Sequence, residues 1–147
     1  MSIPFAPGAA RAYLISRPEM TALIPAGSIT TRDVPQKITG PFITLRATGN
    51  VGPDPMMNKP IVQVDTWVPK AAILGGTTDP DEVAWNVSVK ARDLLSRARN
   101  VRFRDAAWSG RWIDGPITFP PDVTRGVDFP LFRATCRVEL KMRALSA

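Results

Sequence analysis

Near the end of the chain Phe132, Ala134, Cys136, Val138, Leu140 and Met142 alternate without a break against Arg133, Thr135, Arg137, Glu139, Lys141 and Arg143. That two-residue period predicts a long strand with one buried and one polar face. A slip of one residue would turn every apolar side chain to water, so its register is firmly specified. A second alternating run follows Pro41, with Ile43, Leu45 and Ala47 on one face and Thr44, Arg46 and Thr48 on the other. The run from Ile61 to Val68 is the most β-branched in the chain and predicts a strand near the centre of a sheet, closed by Pro69.

The period changes to that of a helix over residues 79–99. Asp79 stands where a cap is needed, Pro80 takes the first helical position, and Glu82 lies three residues after the cap. Val83, Val87, Ala91, Leu94, Leu95 and Ala98 keep helical spacing, while Lys90, Arg92, Arg97 and Arg99 crowd the second half, where positive charge complements the helix dipole. The helix is expected to lie lengthwise on the sheet. A shorter helix is predicted over residues 8–17, ended by Pro18, with one more helical turn over 18–23 and a short strand at 29–32.

Two segments read less regularly. Between the first two long strands, residues 49–60 carry Pro53, Pro55 and Pro60, which predicts an extended loop in place of pairing. Residues 101–108 and 111–119 suggest two strands around a turn at 108–111, the second interrupted at Gly115 and Pro116. The expected architecture is α+β: a mainly antiparallel sheet with one long central helix packed on one face and a short N-terminal helix, all in a single domain spanning residues 1–147.

Composition narrows the chemistry. With 147 residues, 44% hydrophobic and 22% charged, the chain is sized for one core. It has no apolar run of transmembrane length and no signal-peptide pattern at its start, so a soluble, unexported protein without membrane contact is expected. Histidine is absent and Cys136 is the single cysteine, which removes an internal disulfide and the commonest metal ligand and acid–base group. Cys136 falls on the apolar face of its strand and reads as core filler. Asp79, Asp81 and Glu82 read as helix capping, and Gly75 and Gly76 match no phosphate-binding loop. Neither an enzyme nor a cofactor is expected.

Fifteen prolines imply rigid turns and extended connections. The net charge of +6 fits solubility or contact with nucleic acid. A basic polar face is predicted from Arg46, Arg133, Arg137, Lys141 and Arg143: a solvated surface, a track for phosphates, or a salt-bridging surface between subunits. Trp67, Trp85, Trp108 and Trp112 suit a core or an interface. For Trp108 and Trp112, which stand among charged neighbours, both readings stay open. Trp85 lies outside the apolar stripe of its helix and raises the same question.

The order of these features resembles that of the tail-terminator and tail-completion proteins of long-tailed bacteriophages. The likeness runs through the N-terminal helix and the Pro18 to Ile24 segment, the loop from Val34 into the strand after Pro41, the strand from Ile61 to Trp67, the helix from Val83 to Leu95 and the strand from Pro130 to Leu140. It implies a structural virion protein whose copies form a ring, a hexamer in that family, that caps the tail tube, ends its growth and joins it to the head-side connector. The implied partners are further copies of the chain, the tail tube protein, the connector or neck protein, and DNA passing without sequence reading. The implied location is the tail–neck junction of the virion, with the host cytoplasm during assembly. Another neck or tube component, or a basic nucleic-acid-binding module, is the alternative. Ring contacts are expected at residues 49–60 and 104–115, giving Met56, Met57, Arg104, Trp108, Arg111 and Trp112 as interface candidates, to which Trp85 is added from its place outside the apolar stripe of its helix.

Overall fold

The computed structural model describes residues 3–54 and 57–145. Its framework is a six-stranded sheet in the order β1-β2-β3-β6-β5-β4, formed by β1 (Ile29–Thr30), β2 (Phe42–Asp54), β3 (Met57–Pro69), β4 (Val101–Phe103), β5 (Ala106–Asp122) and β6 (Leu131–Ala144). Only the β1–β2 pair is parallel. The others are antiparallel, in keeping with the expected mainly antiparallel sheet. The β-branched strand β3 and the strictly alternating β6 lie side by side at the centre, with Val64 opposite Cys136.

Among the described residues four α-helices and a short 3-10 turn (Ala26–Ser28) accompany the sheet: α1 (Ala6–Ser16), α2 (Pro18–Thr21), α3 (Ala71–Leu74) and α4 (Pro80–Arg97). The side chain of Asp79 accepts a hydrogen bond from the Asp81 N–H at 3.0 Å, and Pro80 opens the first turn of α4. A capping interaction of this kind contributes about 1 kcal/mol. Ala84, Val87, Ser88, Ala91 and Leu95 are buried along α4. Val87, Ala91 and Leu95 pack with Ala9, Ala10 and Leu14 of α1 over the apolar face formed by Ile43, Leu45, Val62, Val64, Val138, Leu140 and Met142, and Ala84 packs with Val68 and Ala134. At Arg17 the chain turns extended before Pro18 and α1 ends, because the proline ring crowds a helical residue in front of it.

The far end of α4 is tied to β5. Gly110 donates its N–H to the Ala98 carbonyl at 3.0 Å. Arg99 donates to the carbonyls of Ser96, Ala98 and Gly110 at 2.8 to 2.9 Å. These bonds satisfy carbonyls that the last helical turn leaves without intrahelical donors.

Two expectations are corrected. Of the segment expected as a loop, residues 49–54 and 57–60 are strand: β2 runs to Asp54 and β3 starts at Met57, while residues 55–56 lie outside the described residues. The irregular residues of these strands are absorbed locally, by register shifts in β2 at Ala47/Gly49 and Val51/Asp54 and by a gap in the β3–β6 pairing at Lys59 and Pro60. The gap falls where proline has no N–H to donate. The second correction concerns the later hairpin, which turns at Arg104 and Asp105 instead of at 108–111. Arg104 has a left-handed φ of 52° there, and β5 then runs straight through Trp108 and Arg111. Shifts on either side of Asp114 carry the strand past Gly115 and Pro116. Gly115 has φ 90° and lies against the β6 backbone, where an added Cβ would sit 2.4 Å from the Thr135 carbonyl oxygen.

Candidate functional site

The face of the sheet away from α1 and α4 is open, and the registers of β2, β3, β6 and β5 decide which side chains meet on it. Thr44 stands opposite Asp65, and Asp65 opposite Thr135. Trp67, Arg133 and Phe119 form the neighbouring row. Asp65 is 4% exposed. Its carboxylate accepts hydrogen bonds from Arg133 Nε at 3.1 Å, from the Thr135 hydroxyl, and from Gln63 Nε2. The Arg133 guanidinium is held between two rings, 5.1 Å from the centroid of Trp67 and 4.6 Å from that of Phe119. Trp67 in turn donates its indole N–H to the Thr44 hydroxyl at 3.0 Å. A buried carboxylate with three donors and a cation stacked on both sides is a fully committed arrangement that stiffens the centre of the face.

The same registers neutralise most of the basic face expected from the sequence. Arg137 is paired with Asp114 through two guanidinium nitrogens. That pairing holds the Asp114 carboxyl below the usual aspartate range and raises the Arg137 pKa. Arg46 is paired with Asp33 at the exposed edge, and Arg111 with Glu139. Of the five predicted residues, Arg46, Arg133 and Arg137 have acidic partners. Lys141 and Arg143 take part in none of the ion pairs among the described residues. A polar hollow of about 410 Å³ on this face is lined by Asp65, Thr44, Gln63, Trp67, Arg46 and Arg125 among others.

The interface candidates disperse. Met56 lies outside the described residues. Met57 is half-buried on the open face, opposite Arg143. Trp85 is 45% exposed on the outside of α4. Arg104 is exposed at the β4–β5 turn with its guanidinium 4.8 Å from the Phe103 ring. Trp108 takes the core reading and not the interface reading: it is 1% exposed and meets Tyr13 edge-on at 5.4 Å. Trp112 is 53% exposed; its indole donates to the Gly115 carbonyl, and Arg92 lies 5.0 Å from its ring.

The larger apolar surface was not singled out in the sequence. Ile117, Phe119, Val123, Val127 and Phe129 are exposed with Trp112, so six of the ten exposed large hydrophobics among the described residues fall within residues 112–129. They lie on β5 and on the segment that follows it. Among the described residues β5 has no strand partner on its outer side beyond Trp108, since β4 pairs with Ala106, Ala107 and Trp108. Pro116, Pro120 and Pro121, which interrupt the donor row of that edge, were its visible signal in the sequence.

Cys136 lies on the covered face beneath α4, its thiol directed at the Ser88 carbonyl at 3.9 Å. Burial pushes its pKa up to about 12. Such a thiol stays protonated and behaves as a small apolar group. Among the described residues no cluster of three or more His, Cys, Asp or Glu side chains is placed to hold a metal ion. No helix is long and apolar enough to cross a membrane.

Together these features define an α+β protein with one helix-covered face, one ion-paired open face and an apolar edge strand. No family model matches the sequence, and no curated protein matches it. Among solved structures it is similar to a chain of the virion of a native gene transfer agent particle, with 16% identity and a TM-score of 0.49, over 92% of this chain and 93% of that one.

Proposed function

We propose that the protein is a structural virion subunit of the tail-terminator type, whose copies close into a hexameric ring on the tail tube. The observation that carries this reading is the run of exposed apolar side chains over residues 112–129, on β5 and the segment after it. A closed ring of identical subunits joins two different patches head to tail. The unpaired edge of β5 at one side of the sheet and the edge of β2 beyond its short pairing with β1 at the other supply two such patches. The element order that resembles the terminator family supports the same conclusion, and function then lies in ring geometry without catalysis.

In this role the ring ends tube growth, meets the head-side connector and leaves an axial channel for DNA at the tail–neck junction, after assembly in the host cytoplasm. The test is to add the purified protein to its virion's tube protein during polymerisation. Elongation stopped at ring-capped ends supports the reading, and tubes that grow uncapped at the normal rate contradict it.

A further inference from the structure

At the β4 end of the open face the ion pairing stops. Arg102, Ala107, Arg143 and Met57 follow one another across β4, β5, β6 and β3 in a single row. In the next row Ser109 faces Lys141, and the register on either side, Met57 opposite Arg143 and Ile61 opposite Glu139, sets Lys59 across from Lys141. The burial alternation of β3 places Lys59 on this face as well. Lys141 and Arg143 line a shallow hollow of about 170 Å³ together with Ser109 and Asn100, and Lys59 and Arg102 stand beside it by register, so four cations share this end of the face. None of the ion pairs among the described residues involves them. Farther along the same face, Arg133, Arg137 and Arg111 are each matched to a carboxylate.

We infer that this cluster is a binding site for the phosphate backbone of duplex DNA. Four strands at ordinary spacing cover roughly 14 Å, a length over which a duplex presents about eight phosphate charges. The chemistry favours phosphate over the alternatives. Single-strand binding needs exposed rings for stacking, and Trp108, the aromatic lining this hollow, is buried. A protein interface needs an apolar centre, and Met57 is the sole large apolar side chain of the hollow that is not fully buried. Cations on a sheet surface reach phosphates without entering a groove, so contact is independent of base sequence. The inference deepens the ring reading by turning this end of the open face toward the channel, yet it rests on charge placement that holds for the single chain.

The experiment is a fluorescence-anisotropy titration of a labelled duplex of mixed sequence with the full-length protein at 50 to 200 mM salt, with particle mass measured in the same buffers. Four contacts predict a log–log salt slope of about −3.6, or steeper where assembled copies add contacts, and so roughly a hundredfold loss of affinity over that range. The double variant Lys141→Gln, Arg143→Gln brings the slope to about half the wild-type value. Arg46→Gln, whose guanidinium already has Asp33, leaves affinity within about twofold. Circular dichroism checks that both variants fold. No duplex binding at 50 mM salt, an unchanged slope in the double variant, or uptake of polyglutamate in preference to duplex would each overturn the site. Rings that ignore DNA overturn the site and leave the ring reading standing, whereas a chain that binds duplex but stays monomeric both alone and on its tube does the reverse.

Discussion

The α-carbon of Gly110 faces the carbonyl of Leu95 so closely that an added Cβ would lie 1.7 Å from its oxygen. The last turn of α4 can therefore seat on β5 only where β5 has no side chain. Gly110→Ala must part helix from strand and disturb the bonds from the Gly110 N–H and from Arg99. A loss of about 3 kcal/mol is expected, measured as a lower midpoint in urea unfolding.

Trp108 and Trp112 stand four positions apart on the same strand with opposite burial, and their substitution separates folding from assembly. Trp108→Ala removes a core ring packed on Tyr13 and costs about 4 kcal/mol. Trp112→Ala leaves the midpoint within about 1 kcal/mol and lowers the assembled fraction in sedimentation velocity. Loss of folding on Trp112→Ala, or unchanged assembly by the folded variant, would count against its placement in the ring contact.

Asp65 and Arg133 come from different strands and are joined on a nearly buried carboxylate. Asp65→Ala strands the guanidinium and the Thr135 hydroxyl and is expected to cost about 2 kcal/mol. Arg133→Met in the Asp65→Ala background should cost less than Arg133→Met alone. A double-mutant cycle in urea checks this coupling, and strict additivity contradicts it.

The Asp114 carboxyl titrates below its ordinary range because Arg137 donates to its charged form. A folded-state pKa below the unfolded one gives stability that is present above the unfolded value, about 4, and is lost as pH falls through the folded value. The difference in melting temperature between wild type and Asp114→Asn should therefore be full at pH 7 and shrink steadily below about pH 4. A difference that is constant with pH contradicts the pairing.

Cys136 is expected to resist a disulfide reagent in the folded protein at pH 8 and to react within seconds in 6 M guanidinium, since burial keeps the thiol protonated and covered. Absorbance of the released thiolate reads both rates.

Much of this fold was legible in the chain because it rests on local periodicity. The alternation from Phe132 to Met142 gave β6 its buried face, and Asp79 with Pro80 marked the start of α4 to the residue. What local pattern could not show was pairing across the sheet. Asp65 and Asp114 turn Arg133 and Arg137 from apparent basic surface into ion pairs, and only the register of three strands brings them together. Trp108 is in the core because Tyr13 of the first helix meets it there. The strand at residues 49–54 and 57–60 and the passage of β5 through Gly115 were hidden for a different reason: proline and glycine signal breaks, while register shifts let a long strand carry them.

The central claim is that these chains close on one another through the β5 edge. It is tested most directly by measuring particle mass over a range of protein concentrations and imaging the largest species by negative-stain electron microscopy. The account predicts closed rings of about six subunits, in keeping with cyclic assembly, and the loss of those rings in the folded Trp112→Ala variant. A monomer at every concentration, both alone and on its tube, would contradict it.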